Sequence, residues 1–140
     1  MANTFGGAQP IFCVADLRAS IDYYVEALGF KHHWGEEGFA SVSRDRCHLF
    51  LCENDQGNPG AWTWIGVEDA DALAAELRER GVKIRHPPTN YYWAYEMQVE
   101  DPDGNVLRFG SDSKKGEPYG AFMDRHGRLW PTQGNGEKVI

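Results

Sequence analysis

Cysteine is scarce in this chain, and what little there is does not pair. Cys13, Cys47 and Cys52 are an odd number among 140 residues, and no two of them form a CxxC arrangement. A chain of this size buries a core without staples, so the thiols are expected to be reduced, and neither a zinc ribbon nor a dithiol redox centre is implied. Long apolar runs are missing as well. None approaches the roughly 18 residues a bilayer-spanning helix needs. The opening stretch MANTFGGAQP has neither a basic n-region nor an apolar h-region, so a cytoplasmic location without membrane contact is the expectation. Basic residues are outnumbered 14 to 21, for a net charge of −7. A field of that sign repels nucleic acid and favours cationic small molecules. Gly-rich phosphate loops and nucleophile elbows are also lacking.

What remains is an ordinary globular composition, 41% apolar and 25% charged, in a length that allows one domain or two small modules sharing a core. The strongest signal is an internal repeat. VADLRASIDYYVEALGF (14–30) aligns with VEDADALAAELRERGV (67–82). Val14 and Asp16 meet Val67 and Asp69 at an offset of 53; Ile21, Val25, Gly29 and Phe30 meet Leu73, Leu77, Gly81 and Val82 at 52. One deletion reconciles the two.

Each copy reads as a strand, a helix and three more strands. Ile11 to Val14 and Trp62 to Val67 are apolar, and Asp16 or Asp69 then offers a side-chain oxygen to the first free amides of a helix. Ile21, Val25 and Leu28, like Leu73 and Leu77, recur at helical spacing. Gly29 and Gly81 stand where a left-handed C-terminal residue ends a helix. Strands are then expected over 30–34, 39–44 and 47–52, and over 82–85, 95–100 and 105–110, the last pair joined by Asp101-Pro102-Asp103-Gly104. The two prolines of HPPTN (86–90) predict a loop. Beyond residue 112 the chain turns to Gly, Pro and charge, yet Phe122, Met123, Leu129 and Trp130 predict partial packing. His126-Gly127 would turn a small hairpin there, and 133–140 would fray.

The doubled βαβββ plan, Val14-Ala15-Asp16-Leu17 entering the first helix, Leu28-Gly29-Phe30 leaving it and Asp101-Pro102-Asp103-Gly104-Asn105 in the last turn together resemble the vicinal oxygen chelate superfamily of glyoxalases, extradiol dioxygenases and bleomycin-resistance proteins. The resemblance covers about 8–112. It implies an α+β domain over 1–112, with modules at about 8–55 and 60–112 forming a curled mixed sheet with a concave cavity, and an extension over 113–140. Metal-using members place ligands in the first and last strands of each module. Those positions carry over to Gln9, His48, Trp62 and Arg108, a set poor in donors: indole offers no in-plane lone pair, and guanidinium carries a fixed positive charge. No metal or other cofactor is expected. Gln9-Pro10, Ala61-Trp62-Thr63-Trp64 and Trp93-Ala94-Tyr95-Glu96 resemble the metal-free bleomycin-resistance subgroup, which sequesters a bulky cationic drug; that subgroup often has Gly and Phe where this chain has Ala94 and Met97.

Several residues are candidates for contact with such a ligand. Trp62 and Trp64, two apart on a strand, share a face and suit planar heterocycles or cations; filling a core or a subunit interface is the plainer role. Tyr91, Tyr92 and Trp93 form a rim over the cavity, or cover a sheet edge or a second chain. Glu96 pairs with a cationic ligand or with Arg108 on the adjoining strand. His48 is the inward residue able to move a proton near neutral pH, though a lone strand histidine is more often a hydrogen-bonded structural residue than a catalyst. Cys52 shares its face, but a Cys-His nucleophile has no supporting pattern. His32 and His33 point to opposite faces, and His86 and His126 fall in expected loops. The expected function is metal-independent binding or sequestration of a bulky aromatic or cationic small molecule by a homodimer. The alternative is a metal-dependent lyase, isomerase or dioxygenase of the same superfamily.

Overall fold

The computed structural model describes residues 2–133, and the stretch expected to fray lies, from 134 on, outside them. The chain is α+β, with two four-stranded mixed sheets, one from each repeat. By contact it divides into two units: the chain up to Ala61 together with Pro102–Asn105, and Trp62–Asp101 with the chain from Val106 onward.

In the first unit β1 (Ile11–Val14) leads into α1 (Leu17–Asp22), then β2 (Lys31–Trp34), β3 (Phe39–Arg44) and β4 (Cys47–Glu53), in sheet order β1-β4-β3-β2. β1 runs parallel to β4; the other pairs are antiparallel. Asp16 caps α1, its carboxylate accepting from the Ala19 amide at 3.0 Å. The helix does not run on to Leu28 as one α-helix: Tyr23–Ala27 is a π-helical turn, closed by the Leu28 amide on the Tyr23 carbonyl at 3.2 Å. Its wider turn brings Tyr24, not the expected Val25, into the core, where the ring sits edge-on to Phe30 at 5.6 Å. Leu17, Ile21, Tyr24 and Leu28 are buried with Phe12, Val14, Ala40, Val42, Leu49 and Leu51. By strand alternation those six sheet residues form one face, and the opposite face carries Phe39, Ser41, Ser43, His48 and Phe50.

The turn Pro102–Asn105 is held by side chains. Asp103 accepts from the Ala15 amide at 2.9 Å, and fully buried Asn105 accepts from the Ala61 amide at 3.1 Å while donating to the Cys13 carbonyl at 3.2 Å.

In the second unit β5 (Trp62–Gly66), α2 (Ala70–Glu79), β6 (Ile84–Asn90), β7 (Tyr95–Glu100) and β8 (Val106–Ser111) repeat the plan in order β5-β8-β7-β6. Asp69 caps α2 through the Ala72 amide at 3.0 Å. Gly29 and Gly81, after the two helical segments, have φ of 75° and 82°, the left-handed geometry that ends a helix without steric cost. Ala74, Leu77, Met97, Val99, Leu107 and Phe109 are buried on the helix side.

HPPTN is not a loop. It completes β6, an edge strand, with shifted register between Ile84 and His86 and again between His86 and Thr89. Pro87 and Pro88 fall in the second shift, where an edge strand tolerates residues with no N–H to donate. His86 is therefore a buried strand residue, and burial pushes its imidazole pKa down.

Two further strands, β9 (Ala121–Met123) and β10 (Leu129–Pro131), form an antiparallel hairpin at the expected His126-Gly127 turn. The Asp124 carboxylate closes it, accepting from the amides of His126 and Arg128 at 2.9 Å each and from the Trp130 indole N–H at 2.8 Å.

Candidate functional site

Strand register gathers most of the candidate residues on the face of the second sheet that turns away from α2. Trp62 and Trp64 on β5 pair with Val106 and Arg108 on β8, and Arg108 pairs with Gln98 on β7, two residues from Glu96. Trp64 lies over Gly66 and Gly110, which are themselves register partners. A Cβ at Gly110 would stand 2.6 Å from the indole Cζ2, so only glycine lets the ring lie this close to the sheet. The indole remains 49% exposed. It is a ledge seated on backbone, with an aromatic surface open to solvent.

Glu96 is buried and taken up by the protein. Arg108 donates from Nε to Oε2 and from Nη2 to Oε1, each at 2.8 Å, and the Trp93 indole N–H donates to Oε1 as well. Of the two roles open to Glu96, the internal ion pair is the one formed. A bidentate, charge-assisted pair of this kind is the strong form of the interaction. Arg85 stacks its guanidinium 5.3 Å over Trp62, donates to Gln98 Oε1 and to the Asp124 carbonyl, and pairs with Glu100 at 3.4 Å.

The aromatic run after β6 splits. Tyr91 and Trp93 turn inward and stack in parallel, 4.6 Å apart, while Tyr92 turns outward and is largely exposed. Burial pushes the Tyr91 phenol up to about 12, and its hydroxyl donates to the Ala121 carbonyl at 3.0 Å. Phe122 then meets four neighbours: Tyr91 and Trp93 edge-on at 6.0 and 6.1 Å, Trp62 at 6.5 Å, and the Arg108 guanidinium at 5.1 Å.

His48 lies in the other unit. It is exposed, with its ring stacked 6.4 Å from His33, whose Nε2 bonds Ser43 Oγ. Gln9 is also exposed and stands ahead of β1 rather than within it. Cys13 and Cys52 are buried register partners, and burial raises the Cys47 thiol pKa, which works against thiolate chemistry.

An aromatic cluster on the first sheet was not singled out from the sequence. Trp34 stacks on Phe39 at 5.8 Å, Phe39 meets Phe50 at 5.1 Å, and Trp34 is 53% exposed. The signal was available: Phe50 sits between Leu49 and Leu51, so if those two face the helix Phe50 must face away.

The donor chemistry does not fit a metal. Arg108 keeps its positive charge paired to Glu96 and Trp62 lies under Arg85, so two of the four carried-over positions can only repel or ignore a cation. Among the described residues, no group of three or more His, Cys, Asp or Glu converges to hold one.

The two βαβββ units define the class. Residues 8–109 match the Glyoxalase/Bleomycin resistance protein/Dioxygenase superfamily, and the chain belongs to it. Within that class it is 31% identical to a bleomycin resistance protein of Geobacillus stearothermophilus, an alignment covering 71% of this chain and 92% of the relative. Among solved structures it is similar to the bleomycin-binding protein of Streptomyces verticillus in complex with copper(II)-bleomycin, with a TM-score of 0.70, 27% identity, and coverage of 80% of this chain and 100% of that one. TnmS3, an antibiotic binding protein from Streptomyces sp. CB03234, is also similar, with a TM-score of 0.63, 27% identity, and coverage of 79% and 100%.

Proposed function

We propose that this protein binds and sequesters a bulky, planar, cationic antibiotic of the bleomycin kind, without metal and without chemistry on it. The observation that carries this is the Trp64 ledge: a half-exposed indole held flat on Gly66 and Gly110, in a chain of net charge −7. A cation or heterocycle over such a ring gains about 0.5–2 kcal/mol, depending on desolvation. Affinity and abundance suffice for sequestration. Relatives whose names record bleomycin resistance, bleomycin binding and antibiotic binding support the same reading. The cluster of exposed Trp34 with half-buried Phe39 and Phe50 supplies a second aromatic surface of the same chemistry. Tyr92, Trp62 and Trp93 are proposed as the rim, with Arg108, held in place by buried Glu96, setting polar orientation.

Titration of tryptophan fluorescence with metal-free bleomycin tests this. The expected result is saturable quenching near one drug per chain, lost in Trp64→Ala. A flat response into the high micromolar range overturns bleomycin as the ligand. The reading also takes in a homodimer in the cytoplasm. Sedimentation at twice the 15.8 kDa of one chain is the expected outcome, and a single-chain mass overturns that part. No helix among the described residues is long and apolar enough to cross a membrane.

A further inference from the structure

The hairpin β9–β10 lies beyond the residues that match the family, 8–109, yet it reaches into the group of side chains assigned above to ligand binding. Phe122 is in ring or cation contact with Trp62, Tyr91, Trp93 and Arg108 together. Its backbone neighbours are fastened to the same face. The Ala121 carbonyl takes the Tyr91 hydroxyl at 3.0 Å, the Met123 carbonyl takes Gln98 Nε2 at 2.9 Å, and the Asp124 carbonyl takes Arg85 Nη2 at 2.8 Å. With the hairpin in place Glu96 is 1% exposed, and both of its oxygens are engaged by Arg108.

We propose that this hairpin is a built-in occupant of the aromatic face of the second sheet, and that Phe122 is the residue determining which ligands that face admits. Its ring stands beside Trp62 and the Tyr91–Trp93 stack, under a guanidinium, where a planar ligand ring would find the same neighbours. The proposal rests on the small-molecule reading above. A ligand small enough for the Trp64 ledge binds without disturbing the hairpin. One that needs Trp62 or Trp93 competes with Phe122. The cover is suited to such competition: a hairpin of two three-residue strands is marginal alone and stays closed through the contacts it makes with this face.

The test compares the intact chain with Phe122→Ala and with Asp124→Ala, which loosens the turn without touching the aromatic group. Two quantities are read: quenching of tryptophan fluorescence by acrylamide, and titration with metal-free bleomycin. Circular dichroism checks that each variant is folded, and Asp124→Ala serves if Phe122→Ala is not. The expected result is greater acrylamide quenching in both variants and drug binding tighter by about five- to tenfold in Phe122→Ala, the scale of one lost aromatic contact set. Unchanged quenching, or weaker drug binding in Phe122→Ala, overturns the proposal; in the second case the ring is a wall the ligand leans on. If quenching rises while none of the three proteins responds to the drug, the cover stands and the bleomycin reading falls.

Discussion

The two repeats build the same sheet and treat its far face differently. In the first, the face opposite α1 ends in exposed side chains: Trp34 at 53%, and His33 and His48 stacked on each other. In the second, the corresponding face carries a buried ion pair and is covered by a hairpin that the first repeat does not have. Register makes the comparison residue by residue. His48 pairs with Ser43 as Arg108 pairs with Gln98, and two residues along Ser41 stands where Glu96 does. One plan therefore supports a face that leaves Trp34, His33 and His48 exposed, and a face where a closed ion pair sits beside the half-exposed Trp64. The helix-side core fixes the fold and leaves the other side free to diverge.

The largest expected effect breaks that comparison at its most unequal pair. Glu96→Ala strands the Arg108 guanidinium, which is one-quarter exposed, without its carboxylate, and removing one partner of a buried pair costs about 3–5 kcal/mol. Ser41→Ala, at the counterpart position, is expected to cost about 1 kcal/mol or less. Urea unfolding of the two variants reads the difference; equal losses would mean the second face depends on the pair no more than the first depends on Ser41. A smaller effect is expected at the β-turns. Asn105→Ala removes the partner of the Ala61 amide and the Cys13 carbonyl, a loss of about 1–3 kcal/mol. In the other turn Asp45 already holds φ at 51°, so Asp45→Gly is expected to shift stability by less than about 1 kcal/mol. The same urea curves check both, and an Asn105→Ala value as small as that of Asp45→Gly would make the two turns equivalent.

What was legible in the sequence was local. Asp16 and Asp69 cap their helices, Gly29 and Gly81 end the helical segments, and the βαβββ order follows from period and turn chemistry within short windows. Three features escaped because neighbours distant in sequence decide them. Proline inside β6 is tolerated only because that strand lies at a sheet edge, which the segment itself does not reveal. Tyr24 displaces Val25 because the helix widens to a π turn, and both choices satisfy helical spacing. Phe122 reads as one apolar residue in a polar tail, and nothing local to it announces contact with Trp62, 60 positions earlier. The site suffered most from this. Trp62, Trp64, Glu96 and Arg108 share a sheet face by register while His48 lies in the other unit and Tyr92 turns outward, and the hairpin against Trp62 was legible only as a stretch too apolar to ignore.

The smallest expected effect concerns the hairpin turn that makes the two faces differ. Asp124 is held well below the usual carboxylate range, at about 2, first by the Trp130 indole N–H and then by the backbone amides of Arg128 and His126. A carboxyl whose pKa is depressed on folding contributes stability above its unfolded value and loses it as pH falls through the folded one. The hairpin should therefore stay closed from neutral pH down to about 4 and loosen between about 4 and 2. Following the Trp130 indole N–H by NMR as acid is added checks this, with the midpoint expected near 2 and the transition absent in Asp124→Asn. A midpoint near 4, the value of a free carboxyl, would mean that Asp124 does not hold the turn. If Trp62 and Trp93 become accessible to acrylamide over the same acid range while Trp34 does not change, the asymmetry of the two faces lies in this one turn rather than in the sheets beneath it.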